Sequence, residues 1–174
     1  MEKNRQGLLH IYCGDGKGKT SAAVGMAVRA AGCGMKVLVI RFLKTENSGE
    51  VEVLRSIPGI TVPPCERTFG FVFRMTEEQK QEAALYYQSR FEAAAKKAVQ
   101  GQYDLLILDE ILASCNYGMV RETSVVEFLQ NRPEKLEVVL TGRNPSETFL
   151  ELADYVSEIC MRRHPYEKGI PARR

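Results

Sequence analysis

A glycine-rich turn that ends in lysine and threonine contains the residues of this sequence best suited to chemistry. The turn is Gly14-Asp15-Gly16-Lys17-Gly18-Lys19-Thr20, and Ser21 follows it. Glycines allow successive backbone N–H groups to face one anion, and the Lys19 ammonium and the dipole of a following helix add positive potential. The Thr20 hydroxyl stands where such loops hold a Mg²⁺ ion between phosphate oxygens. The segment predicts a site for ATP and Mg²⁺; the alternative is a turn that only opens a helix.

The spacing of these glycines departs from the usual phosphate-loop motif, which has four residues between its outer glycines. Here three residues separate Gly14 from Gly18, and Cys13 occupies the expected position of the first glycine. Residues 14–21 are nevertheless the predicted ATP ligands, because glycine, lysine and threonine follow an apolar strand in the usual order.

Two carboxylates end a second apolar run, Leu105-Leu106-Ile107-Leu108, as Asp109 and Glu110. In nucleotide-binding α/β folds such a strand lies beside the phosphate loop, which would bring Asp109 or Glu110 to the Mg²⁺ ion. Many buried strands also end in a surface acid, so the metal-binding interpretation of this pair depends on the phosphate loop upstream. Arg143 follows another strand, where its guanidinium could meet a phosphate or pair with an acid.

Three aromatic residues two positions apart, Phe69, Phe71 and Phe73, occupy a long irregular segment. The alternation by itself favours a short, half-buried strand. The same side chains could instead line an apolar pocket for a large, flat ligand. His10 lies within the first strand, where an interior histidine with a hydrogen-bond partner is the favoured interpretation.

These residues must be positioned by an alternation of β-rich and helical segments. Strands are predicted at 8–13, 36–42, 105–109, 137–141 and 157–161, and helices at 20–33, 50–56, 76–100 and 123–131, with a further helix whose N-cap is Asn144. Strands joined by helical crossovers predict an α/β fold of the phosphate-loop NTPase (RecA-like) type. Its mostly parallel sheet would carry helices on both faces and bind ligands at the carboxyl ends of its strands.

Two helices have more specific predictions. The helix at 20–33 should be largely buried, because Arg29 is its only charged residue. The helix at 76–100 should begin with a capping box of Thr76 and Gln79. The residues of this long helix predicted to face the core are Ala84, Tyr87, Phe91, Ala95 and Ala98.

Composition limits the class of protein. A chain of 174 residues with 44% hydrophobic and 26% charged residues is typical of one globular domain, with a short polar arm at 1–6 and a basic, solvated tail at 162–174. Its net charge of +2 argues against binding nucleic acid by bulk charge. Its apolar runs are too short to cross a membrane. Five widely spaced cysteines and the lack of an export signal at the polar N-terminus predict a reducing cytoplasm.

Beyond these patterns, residues 7–174 resemble the corrinoid adenosyltransferases, the family that includes the cob(I)yrinic acid a,c-diamide adenosyltransferases of cobalamin synthesis. The most specific point of resemblance is the short glycine spacing of the loop. The other matching motifs are Arg41-Phe42-Leu43-Lys44, Gly49-Glu50, Gly70-Phe71-Val72-Phe73, Leu108-Asp109-Glu110-Ile111, Tyr117-Gly118, Arg132-Pro133, Thr141-Gly142-Arg143, Leu152-Ala153-Asp154 and His164-Pro165-Tyr166.

The resemblance implies that the 5′-deoxyadenosyl group of ATP is transferred to the cobalt of a reduced corrinoid, with release of triphosphate. It implies Thr20, Asp109 and Glu110 as the Mg²⁺ site and Lys19 and Glu110 as catalytic residues. By similarity, Phe71 and Phe73 would crowd the lower face of the corrinoid and expel its axial ligand, which eases reduction of cobalt. A homodimer and an electron-donating flavoprotein partner are also implied.

Two other functions fit the loop. A conventional ATPase or kinase would direct the γ-phosphate of ATP at water or an acceptor. A non-catalytic carrier or sensor would hold the corrinoid in an ATP-dependent manner without reacting.

Overall fold

The structure is a computed structural model, and it describes residues 6–70, 72–163 and 165–170. Its strands are β1 (Leu9–Cys13), β2 (Val37–Arg41), β3 (Ile60–Thr61), β4 (Leu105–Asp109), β5 (Glu137–Thr141) and β6 (Tyr155–Glu158). Its α-helices are α1 (Lys19–Gly32), α2 (Glu50–Ser56), α3 (Glu77–Gln100), α4 (Ile111–Asn116), α5 (Glu122–Asn131) and α6 (Glu147–Leu152). Short 3₁₀ turns cover Val72–Arg74 and Pro165–Lys168.

The strands form one sheet in the order β3-β2-β4-β5-β1-β6, and every neighbouring pair is parallel. The register pairs Arg41 of β2 with Asp109 of β4, and Tyr12 of β1 with Thr141 of β5. The carboxyl ends of the four central strands therefore lie at one edge of the sheet. The predicted α/β fold with a parallel sheet is confirmed.

Helices cover both faces of this sheet, which explains why β2 and β4 are continuous apolar runs. On one face, small residues of α1 and apolar residues of α2 pack against Val39 and Ile107. On the other face, helices α3 to α6 pack against Leu38, Leu106 and Leu140. The core is thus two apolar layers that hold the strands, and hence their ends, in fixed positions.

The longest helix, α3, has the predicted start. The Thr76 side chain accepts a hydrogen bond from the Gln79 N–H, and the Gln79 side chain accepts one from the Thr76 N–H. Its buried face is rotated slightly from the predicted one. The buried residues are Ala83, Tyr87, Phe91, Ala94 and Ala98, whereas Ala84 and Ala95 are only half-buried.

Three details of the sequence prediction are wrong. Helix α1 buries one face rather than most of its surface, and Val28 on the opposite face is 43% exposed. Helix α6 begins at Ser146, whose side chain accepts from the Phe149 N–H, and Asn144 instead adopts a left-handed conformation with φ of 48°. Strand β6 lies a few residues earlier than predicted, at Tyr155–Glu158.

Within the described residues, the structure has no helix of sufficient length and apolar character to span a membrane.

Candidate functional site

The glycine turn connects β1 to α1 at the carboxyl edge of the sheet. Its backbone angles explain why two of its positions are glycine. Gly14 has φ of +104°, and a Cβ atom there would lie 2.4 Å from the carbonyl oxygen of Ile159. Gly18 has φ of +127° with open space around it, so its need for glycine is conformational alone. The first glycine of the shortened turn is thus required both by its backbone angle and by a close approach of the chain after β6.

The segment after β6 braces the turn. The Gly16 N–H donates to the carbonyl of Ile159 at 2.7 Å, and the Met161 N–H donates to the Asp15 carboxylate at 2.8 Å. A Cβ atom on Gly16 would lie 2.6 Å from that same Ile159 oxygen. The expectation that successive amides of the turn converge on one anion therefore holds only in part, because the Gly16 amide is already hydrogen-bonded to Ile159.

Lys19 lies at the centre of the turn. Its Nζ donates to the carbonyl oxygens of Gly14 and Gly16, each at 2.8 Å, and the residue is only 8% exposed. Burial lowers the pKa of this ammonium, and the positive charge of Arg143 lowers it further. The chain has thus wrapped the turn around one cation, which fixes positive charge at the N-terminus of α1.

Asp109, at the end of β4, is held by two hydroxyl groups. Thr20 Oγ1 donates to Asp109 Oδ1 at 3.0 Å, and Thr141 Oγ1 donates to the same oxygen at 2.7 Å. Thr141 also accepts from the Glu110 N–H at 2.9 Å. The parallel strands β4 and β5 therefore place Thr141 where it orients both predicted acids, and Asp109 is 2% exposed.

Glu110 has an unusual backbone for a non-glycine residue, with φ of 63° in the left-handed region. Such strain is common at functional sites. Burial raises the pKa of Glu110, while the positive charge of Lys44 lowers it and the negative charge of Asp109 raises it. The carboxyl group therefore faces the site from a position that opposes its ionisation, with a lysine as its nearest compensating charge.

These groups surround a cavity of about 800 Å³ at the carboxyl edge of the sheet. Of the residues predicted from sequence, those from Asp15 to Ser21 line it, together with Glu110 and Arg143. Arg143 Nη2 donates to the Asp15 carbonyl at 3.4 Å, which directs the guanidinium toward the turn, and its contact with a phosphate or an acid stays a prediction. Gly14 and Asp109 are not part of the lining, but Gly14 accepts a hydrogen bond from Lys19 and Asp109 accepts one from Thr20.

The opposite wall of the cavity was not predicted as part of the site. It comes from the loop after β2 and the start of α2, and consists of Lys44, Thr45, Asn47, Ser48, Gly49 and Glu50. The signal for it was present, because a polar loop at the carboxyl end of a parallel strand is where ligands bind in this class of fold. Three of its residues, Lys44, Gly49 and Glu50, entered the sequence analysis only through the motifs shared with a family.

The oxygen atoms near Thr20 fit a hard divalent cation. The Thr20 hydroxyl and the carboxylates of Asp109 and Glu110 are the donor types that Mg²⁺ prefers, and the Lys44 ammonium already lies 3.3 Å from Thr20 Oγ1. These three residues could therefore hold Mg²⁺ against the phosphates of a nucleotide.

The aromatic segment lies apart from this cavity. Phe69 packs against Tyr86 and Tyr87 with ring centroids 5.6 and 5.8 Å apart. Phe73 is 79% exposed and belongs to a 3₁₀ turn, so the predicted half-buried strand is wrong. Phe71 lies outside the described residues. The contact of Phe71 and Phe73 with the lower face of a corrinoid stays a prediction.

His10 is a structural residue, as predicted. Its Nε2 lies 2.9 Å from Glu137 Oε1, and its ring stacks on Tyr155 with centroids 4.9 Å apart.

Comparisons with known proteins agree on one family. The family described as ATP:corrinoid adenosyltransferase BtuR/CobO/CobP matches residues 5–174. The corrinoid adenosyltransferase of Pseudomonas aeruginosa is 31% identical over 173 residues, which cover 99% of this chain and 84% of that protein. The corrinoid adenosyltransferase of Escherichia coli K12 is 32% identical over 98% of this chain and 85% of its own length. The corrinoid adenosyltransferase CobA of Salmonella typhimurium is 30% identical over 98% of this chain and 85% of its own length.

Among solved structures, the cytoplasmic domain of EssC resembles this chain with a TM-score of 0.54 and 12% sequence identity. The match covers 97% of this chain and 34% of that one. At this level of identity the likeness concerns the fold alone.

Proposed function

Because the chain belongs to the ATP:corrinoid adenosyltransferase family of BtuR, CobO and CobP, we propose that it transfers the 5′-deoxyadenosyl group of ATP to the cobalt of a reduced corrinoid. A bond forms between cobalt and C5′ of the ribose, the bond between C5′ and the phosphate oxygen breaks, and triphosphate leaves. The observation that carries this proposal is the family match over residues 5–174.

In this reaction the phosphate end of ATP belongs in the turn. Lys19, Arg143 and the N-terminus of α1 supply positive potential at the cavity, and negative charge grows on triphosphate as C5′ is attacked. Groups that are already oriented stabilise such charge without reorganisation, which is commonly the largest single contribution to catalysis. The nucleophile is the reduced cobalt itself, so no protein base is required.

ATP must then lie with its ribose toward the acceptor, the reverse of its orientation in a kinase. The tighter turn, in which Cys13 occupies the usual first-glycine position and the Gly16 amide is hydrogen-bonded to Ile159, supports this proposal because it alters the phosphate contacts that a kinase uses. Thr20, Asp109 and Glu110 would hold Mg²⁺ against the triphosphate. When bound, Mg²⁺ neutralises charge on the leaving group.

The corrinoid would meet the aromatic segment. By family resemblance, Phe71 and Phe73 crowd its lower face and displace the axial ligand of cobalt, which leaves a four-coordinate Co(II) that is easier to reduce. The high exposure of Phe73 supports this role, because a large exposed aromatic side chain is suited to contact with a flat ligand. A homodimer, a flavoprotein that supplies electrons and a cytoplasmic location are the further parts of the proposal.

An anaerobic assay with ATP, Mg²⁺ and chemically reduced corrinoid tests the proposal. We expect the absorption spectrum of an adenosylated corrinoid and one triphosphate for each product molecule. Release of ADP or phosphate with no adenosylated product would favour an ATPase or kinase. ATP-dependent binding of the corrinoid with no reaction under strongly reducing conditions would favour a carrier.

A further inference from the structure

Lys44 reaches the same oxygen atoms that could hold the divalent cation. Its Nζ lies 3.3 Å from Thr20 Oγ1, 3.7 Å from Asp109 Oδ2 and 3.9 Å from Glu110 Oε1. The side chain is 27% exposed, so it spans from the loop after β2 into the cavity rather than into solvent. One lysine thus contacts a hydroxyl and two carboxylates that come from α1 and from the end of β4.

The residues on both sides of Lys44 direct its side chain toward these oxygen atoms. Leu43 has φ of 53°, a left-handed conformation that costs energy for a residue other than glycine. Beyond Lys44, the buried guanidinium of Arg41 donates to the Thr45 carbonyl at 3.0 Å and to the Glu46 carboxylate at 2.9 Å. Both neighbours of Lys44 are therefore fixed, which keeps its long side chain directed at the site.

Glu46, one of the hydrogen-bond partners of Arg41 in this loop, is itself held by several donors. Glu46 accepts hydrogen bonds from Arg41, from Arg55 and from the Cys65 N–H, the last at 2.8 Å. These contacts lower the pKa of Glu46 despite some burial. The loop that carries Lys44 is therefore hydrogen-bonded to β2, to α2 and to Cys65, whereas the lysine side chain itself is a flexible four-carbon stem.

We propose that Lys44 is a tethered cation that occupies the divalent-ion position when no nucleotide is bound, and that it moves onto the triphosphate when the metal–nucleotide complex enters. This inference rests on the proposed site for Mg²⁺ and ATP. An ammonium has only donor hydrogens and cannot share these oxygens with a second positive ion, because like charges at such a distance repel strongly. Free metal ions are then excluded, and the metal is admitted together with phosphates that accept Lys44.

Two consequences follow for the reaction. The site takes up its divalent ion with ATP rather than before it. Lys44 then contributes a further positive charge to the leaving triphosphate, on the wall opposite Lys19 and Arg143, so it acts as a phosphate-binding residue of the nucleotide site.

The test is the binding of Mn²⁺, a paramagnetic substitute for Mg²⁺, measured by electron paramagnetic resonance on the nucleotide-free protein. Lys44→Met keeps most of the length of the side chain and removes its charge, and we expect it to bind Mn²⁺ at least about tenfold more tightly than the unsubstituted protein. Lys44→Arg keeps a positive charge and should bind Mn²⁺ as weakly as the unsubstituted protein. Lys135→Met, on the exposed loop at the opposite end of β5, is the matched control and should change nothing.

The second arm measures the affinity for Mn²⁺–ATP by calorimetry. Lys44→Met should bind the complex at least about tenfold more weakly, because a cation that pairs with phosphate is lost. Equal Mn²⁺ affinity of Lys44→Met and the unsubstituted protein without nucleotide, or undiminished affinity for Mn²⁺–ATP, would overturn the inference. Should Lys44→Met fail to fold, as judged by circular dichroism, Lys44→Gln provides the uncharged variant for both arms.

Neither arm uses a corrinoid, so the result is separable from that of the proposed function. An adenosylating enzyme whose Lys44→Met variant binds Mn²⁺ no better would refute the tethered cation alone. The expected Mn²⁺ result in a protein that forms no adenosylated corrinoid would refute the proposed reaction alone.

Discussion

Thr141 holds both acids of the candidate site, and its replacement by valine gives the sharpest test of that arrangement. Valine has nearly the shape of threonine but lacks the hydroxyl. The change removes the hydrogen bond to Asp109 Oδ1 at 2.7 Å and leaves the Glu110 N–H without its partner at 2.9 Å. Thr141 is 0% exposed, so water has no direct route to replace the lost oxygen.

The magnitude follows from these contacts. A hydrogen bond to a charged group contributes about 1.5–3 kcal/mol, and a buried amide left without a partner costs about 1–3 kcal/mol. We therefore expect Thr141→Val to lower the free energy of unfolding by about 2.5–6 kcal/mol. For a domain of this length, each kcal/mol corresponds to a decrease in Tm of about 2–4 °C.

Urea unfolding measures the effect, with Thr141→Ser as the control. Serine keeps the hydroxyl and loses one methyl group, which costs about 1 kcal/mol. The valine variant should therefore be less stable than the serine variant, and its apparent affinity for Mg²⁺ in the presence of ATP should fall, because Asp109 and Glu110 are no longer oriented. Equal stability of the two variants would refute the role assigned to Thr141.

Three further predictions concern other parts of the site. Lys19→Ala should weaken ATP binding at least about 100-fold in calorimetry, since a buried cation at the turn is lost, and near-normal turnover would contradict its role. Phe71→Ala and Phe73→Ala should lose activity when Co(II) corrinoid is supplied but retain much of it with pre-reduced Co(I), and equal losses with both substrates would refute the role proposed for these two residues. Because burial raises the pKa of Glu110 above 4.5, ionisation of this group destabilises the folded state as pH rises through that raised value. Glu110→Gln should therefore gain stability in urea unfolding at about pH 7.5 and lose this advantage at about pH 4, and an advantage independent of pH would contradict the prediction.

The parts of the site that could be predicted from sequence are those whose chemistry is encoded locally. The glycines of the turn at 14–20 indicate its left-handed backbone angles, and Lys19 indicates its positive charge. The acids at the end of β4 follow from strand alternation, because parallel strands bring their carboxyl ends to one edge. These two local patterns meet in the hydrogen bond from Thr20 to Asp109.

Residues that act through tertiary contacts were harder to recognise. Thr141 belongs to another apolar strand, and only its register beside β4 shows that it binds Asp109. Lys44 is one of several lysines in the sequence, and its direction depends on the backbone of Leu43 and on the buried anchor Arg41. No local pattern encodes these contacts.

The start of α6 illustrates the same limit within a helix. Asn144 and Ser146 are both good N-cap residues, and local preference does not separate them. Ser146 also donates a hydrogen bond to Glu122 of α5 at 2.7 Å, a contact between distant parts of the chain that supports the later start. In α3, neighbouring alanines made the face ambiguous, and the large Tyr87 and Phe91 determine which of them are buried.

A crystal structure of the protein with Mg²⁺, ATP and a corrinoid tests the central claim most directly. Our account predicts that the triphosphate lies in the turn at 14–21 and that C5′ of the ribose faces the cobalt. Electron density with the adenosine buried away from the corrinoid and the γ-phosphate directed at it would contradict the account.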